Sequence, residues 1–62
     1  MIKSVITSGT GMVAVFDENE EQIPEYQGEY DEVRENILRD APPNAVFSRV
    51  RTVIEVVSRE EW

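Results

Sequence analysis

Apolar and polar positions divide residues 2–40 into short alternating runs and one longer helical stripe. Ile2, Val5 and Ile6 make Ile2–Thr7 a strand of imperfect alternation, and Met12–Phe16 (MVAVF) is a short apolar run bounded by turn residues. Both read as β. Ser8-Gly9-Thr10-Gly11 between them has the length and chemistry of a hairpin turn. Asp17-Glu18-Asn19-Glu20 has turn residues at its first and third positions. Glu21-Gln22-Ile23 is expected to return as a short edge strand closed by Pro24, which cannot donate to a ladder.

From about Gly28 to Asp40 the period changes. Tyr26, Tyr30, Val33 and Ile37 fall on one stripe of a helix, widened by Leu38. Glu29, Asp31 and Glu32 at its start and Arg39 at its end have the signs the macrodipole favours. Pro42-Pro43 stops it, because neither residue donates a backbone hydrogen bond and Pro42 biases Ala41 away from the α region.

Ala45–Val57 then carries seven β-branched residues with no Gly or Pro. As one straight strand it would span about 43 Å, whereas a domain of this length has a radius of gyration of about 10–11 Å. It must therefore bend or pair outside its own chain. Val46 to Thr52 alternates as a half-buried strand does, while Val53–Val57 is apolar on both faces and reads as covered on both. The change of pattern predicts a bulge or a second partner near Arg51-Thr52. Ser58–Trp62 is a polar tail tipped by an indole. The expected fold class is α+β, in two layers: a small sheet with a single helix packed on one face, in the order ββ(β)αβ.

Composition adds a constraint on stability. With 62 residues the chain is one domain, residues 1–62, and it has neither Cys nor His. Disulfides and the common zinc sites are thereby excluded, and a core of this size is marginal without such help. Self-association is the remaining remedy. The net charge of −7 argues against a phosphate-binding or anionic-membrane surface, so neither nucleic acid nor membrane is expected as a partner. No apolar run approaches the roughly 20 residues that span a bilayer, and the start lacks the apolar core of a signal peptide. A cytoplasmic location is the expectation.

Candidate chemistry changes little. Asp17–Glu32 holds eight carboxylates and no base. Aligned as a calcium loop from Asp17, it places Gln22 where glycine is required and Gly28 where the bidentate glutamate is required. A solvated acidic loop fits better. Ser8–Gly11 leads into a strand with no following lysine, unlike a phosphate loop. Without His or Cys, acid–base work would fall to carboxylates or tyrosines, and Glu25 and Glu29 are ordinary solvated neighbours. No enzyme activity, catalytic residue, metal or cofactor is expected. Tyr26 and Tyr30 are better placed for core packing than for recognition. Trp62 has two natural places, folded back over the sheet or anchoring a partner.

These readings converge on a small acidic interaction module that forms a homodimer through its C-terminal strand, by pairing strand edges or exchanging the strand's end. Its expected interface comprises Val53, Ile54, Val56 and Val57, with Trp62 beside them. Arg49 and Arg51, sharing a strand face with Glu55, would meet carboxylates of the second copy. The rival is an acidic inhibitor of a basic protein that mimics nucleic acid through Asp17–Glu32. As a whole the chain resembles short bacterial proteins of one small domain, a resemblance that rests on no motif and implies no activity or site residue. An oligonucleotide-binding barrel would need more strands, and a ribbon-helix-helix repressor a second helix and a basic ribbon.

Overall fold

The imperfect alternation of the first strand has a structural cause. The computed structural model, which describes residues 1–62, pairs β1 (Ile2–Thr7) antiparallel with β2 (Met12–Asp17). Ile2 lies opposite Asp17 and Ser4 opposite Phe16, so Lys3 is an extra residue in a β-bulge. The bulge resets the period of two and lets Ile2, Val5 and Thr7 all face inward, where each is buried. The expected hairpin turn joins the strands. Ser8 Oγ accepts the backbone N–H groups of Thr10 and Met12, and Gly11 takes φ +87°, which glycine tolerates without strain.

After β2 the chain turns through Asp17–Glu20, with Asp17 Oδ1 accepting the N–H groups of Asn19 (2.8 Å) and Glu21 (3.0 Å). This is the side-chain mimicry of a turn for which Asp is favoured. The predicted edge strand is reduced to a single bridge, Phe16 with Gln22, reinforced by the Ile23 N–H donating to the Val15 carbonyl. One 3-10 turn at Pro24–Tyr26 follows, and then the two-residue strand β3 (Gly28–Glu29), which resumes pairing beside Met12 and Val13. Helix α1 spans Tyr30–Asp40, two residues shorter at its start than its apolar period suggests, because Gly28 and Glu29 are held in the sheet. Val33 and Ile37 are its buried residues, with Tyr30 and Leu38 packed beside them.

The run Ala45–Val57 is two strands, not one. β4 (Val46–Val50) lies parallel to β1, and β5 (Ile54–Val57) folds back antiparallel on β4, with Val50 opposite Ile54 and Phe47 opposite Val57. The reversal occupies Arg51–Val53, where the burial pattern changes. A 43 Å strand has no place in a body whose extents are 28 × 22 × 21 Å. The five strands stand in the order β3-β2-β1-β4-β5, a mixed sheet with α1 on one face, so the fold is α+β. No helix is long and apolar enough to cross a membrane.

The core lies between α1 and the inward residues Val5, Val13, Val15 and Phe47. Gly28 is part of its closure. It takes φ +152°, and a Cβ there would stand 3.3 Å from Val33 Cγ1. Gly28→Ala should therefore destabilise through both backbone strain and crowding, by about 1–3 kcal/mol. Gly11→Ala, with open space around it, should lose only the backbone contribution of about 1 kcal/mol. Urea unfolding of both variants checks the order.

Candidate functional site: the C-terminal hairpin and tail

Residues 46–62 contain every position the sequence nominates for the homodimer interface, and the fold sends them to three different places. Cross-strand register decides the first division. Opposed residues point to the same side of a sheet, so Val57, opposite Phe47, points toward the core and is partly buried there. Val56 and Ile54, opposite Ser48 and Val50, point to the side away from α1. They are 73% and 66% exposed, and Val53 in the turn is 63% exposed. Val53–Val57 is thus not covered on both faces within the chain. β5 is also the last strand of the sheet, and its outer edge has no partner strand.

The two arginines separate. Arg49 lies opposite Glu55 on β4, and its guanidinium donates to the Glu61 carbonyl at 2.7 Å. Arg51 sits in the exposed turn, where its backbone N–H donates to the Val53 carbonyl. The two share no strand face, because the chain reverses between Arg49 and Glu55.

Trp62 takes the first of its two natural places. Its indole is 3% exposed, with the ring centroid 5.0 Å from that of Tyr30 and 4.9 Å from that of Phe47. The indole N–H donates to Thr7 Oγ1 at 2.6 Å. A buried indole needs such an acceptor, and the inward-facing Thr7 at the end of β1 supplies it. The Tyr30 hydroxyl donates to the Trp62 carbonyl and accepts from Arg34 Nε. The ring therefore belongs to the protein's own core.

Arg59 carries no sequence signal of its role. Its guanidinium donates to the carbonyls of Ala41 and Pro42, just past the C-terminus of α1, and lies 5.2 Å from the Phe47 ring centre. A cation at that end satisfies orphan carbonyls and complements the macrodipole. Tyr26 acts nearby, donating its hydroxyl to Asp40 Oδ2 at 2.6 Å and tying the 3-10 turn to the end of the helix. Hydrogen bonds from Arg39 and then Tyr26 hold the Asp40 carboxyl below its ordinary range, and the same bond to Asp40 pushes the Tyr26 phenol up.

Little here suggests chemistry. No three acidic side chains are grouped to hold a metal. An open groove of about 570 Å³ runs along Thr7, Thr10, Gly11, Glu29, Tyr30, Asp31 and Arg49, at the β1–β2 turn and the start of α1. It contains no nucleophile paired with a base. A second groove of about 530 Å³ is bordered by Val46, Val56 and Arg59 beside the free edge.

Trp62→Phe keeps an aromatic ring but leaves Thr7 without its donor, and should lose about 1–3 kcal/mol; Trp62→Ala should lose about 3–5 kcal/mol. Chemical denaturation followed by circular dichroism distinguishes them. Because the folded-state pKa of Asp40 is depressed, its contribution is present above the unfolded pKa and is lost as pH falls through the folded one. Asp40→Asn should accordingly flatten the acid limb of the stability profile, measured by urea midpoints across that limb. No family model, curated protein or solved structure matches the chain.

Proposed function

We propose that the chain is a small acidic interaction module that self-associates as a homodimer through its C-terminal hairpin, β4–β5. The observation that carries this reading is the exposure of Val53, Ile54 and Val56, at 63%, 66% and 73%, on the turn and the unpaired edge strand. Three large aliphatic residues adjoining a free sheet edge are an association surface in a soluble domain. The small core supports it. Nine residues make up the buried apolar cluster, with neither disulfide nor histidine to assist them. Contact with a second copy would add these aliphatic groups to the buried surface.

The acidic segment favours a second reading. Seven of the eight carboxylate residues in Asp17–Glu32 are exposed, and the two ion pairs in the chain are Met1 with Glu18 and Arg39 with Asp40. That side therefore keeps nearly all its charge free for a basic partner, as a mimic of nucleic acid would. The two readings use different surfaces and different tests.

Sedimentation of the purified chain up to millimolar concentration should show a dimer. Because Val56 is solvent-facing in the single chain, Val56→Lys should keep the fold and yield monomer. A wild-type protein that stays monomeric throughout removes the homodimer reading. Salt-sensitive binding to a basic nucleic-acid-handling protein would favour the second.

A further inference from the structure

The sheet registers indicate which surface of the hairpin meets the second copy. Alternate residues of β2, β1, β4 and β5 point away from α1. The central row they form is Ala14, Ile6, Ser48 and Val56, in register across all four strands. Phe16 and Val46 stand in the row on one side, Val50 and Ile54 in the row on the other. No residue that β2, β1, β4 and β5 place in these rows is charged, although charged residues make up 31% of the chain; Glu29 of β3, opposite Met12, puts a carboxylate at the rim. No helix or tail crosses this face, since the buried core is built from the opposite side of every strand. The uncharged region extends well beyond the hairpin, across β1 and β2.

Charge distribution selects the occupant. Two chains of net charge −7 repel each other. Helix α1 bears exposed Asp31, Glu32 and Glu35 on the far side of the sheet from this face. Sheets packed face to face stand about 10 Å apart. Such packing leaves the two helices on opposite outer surfaces, separated by more than the Debye length of about 8 Å at physiological salt. A second copy of the same chain thus fits this face without bringing its acidic helix near the first.

Area distinguishes face packing from edge pairing. A body of nearly equal extents presents about a sixth of its surface on each side. Of 4278 Å² that is about 700 Å², close to the roughly 800 Å² each partner gives to a standard interface. Edge pairing uses only the four residues of β5. Antiparallel pairing of β5 with itself about a two-fold axis must also centre on a residue, since opposed residues share a face. Centred on Glu55 it sets two carboxylates against each other. Centred on Val56 it sets Ile54 against Ser58.

We propose that two copies pack their uncharged sheet faces together, giving a four-layer α/β/β/α homodimer with β5 at its rim. This inference rests on the self-association reading and specifies its geometry. The discriminating position is Ala14, on β2, three strands along from β5 within the face but remote from the edge.

Ala14→Glu should weaken dimerisation by roughly a hundredfold or more, because it buries an unpaired charge, while circular dichroism and the fluorescence of the sole tryptophan stay native. A variant that remains folded and fully dimeric overturns the face geometry but leaves self-association standing. A wild-type chain that is monomeric at millimolar concentration overturns both. Should Ala14→Glu unfold, a distance measurement decides. The chain has no cysteine, so Met12→Cys provides one spin-label site per copy at the rim of the face. Face packing predicts a label separation of about 25 Å or less, whereas edge pairing puts seven strand spacings, about 34 Å, between the two β2 strands. The longer distance overturns the proposal.

Discussion

The ring of Trp62 joins the parts of this fold that lie furthest apart along the chain. Its N–H reaches Thr7, at the end of the first strand, and its faces meet Tyr30 at the start of the helix and Phe47 in the parallel strand. The tail that carries it engages both ends of α1. Arg59 holds the carbonyls at one end, and Tyr30 donates to the Trp62 carbonyl at the other. A domain of this size has a total stability of about 3–9 kcal/mol, and a buried tryptophan accounts for about 3–5 kcal/mol on truncation. One side chain therefore weighs at least about a third of the net stability. The tail thus closes a core to which β4, β5 and α1 each contribute.

That closure explains the division of labour within the C-terminal hairpin. Residues on the α1 side of β4 and β5 are committed to the tail and core: Phe47 beneath the indole, Val57 opposite Phe47, and Arg49 donating to the tail backbone. The alternate residues can take no part in that core, because a strand's side chains alternate between its faces. Valine and isoleucine there stay exposed in the single chain. Charged or polar residues at Ile54 and Val56 would keep a lone domain more soluble, and the proposed self-association would account for their apolar character.

Much of the fold was legible because it is local. The turn chemistry of Ser8–Gly11 and the stripe through Tyr30, Val33 and Ile37 produce a hairpin and a helix whatever the rest of the chain does. The return of Glu21–Ile23 was visible too, though it amounts to one bridge. The reversal at Arg51–Val53 was harder to read. No Gly, Pro, Asn or Asp marks it, and the β-branched residues on both sides propose continuation. The shift in apolar pattern near Thr52 and a strand length that exceeds the body are its two traces. Two arginines that share a face in a straight strand end up in different environments once the chain reverses between Arg49 and Glu55. Trp62 and Arg59 lie beyond sequence pattern for another reason. Their partners, Thr7 and the Ala41–Pro42 carbonyls, are specified only by the three-dimensional path of the tail.

Charge and topology then act together. The parallel pairing of β4 with β1 requires a crossover, and the crossover carries α1 with its acidic side outward over one face of the sheet. The bulge at Lys3 keeps Ile2 in phase with Val5, so the same face collects the inward residues along the whole of β1. Both features place burial on one side and leave the other side of the sheet without any element above it. Net charge of either sign opposes association unless the contact surface is itself neutral and the charge lies away from it. This topology goes far toward both conditions: a strongly acidic chain is given one face whose four longer strands carry no charge, with Glu29 only at its rim, set on the opposite side of the sheet from its acidic helix.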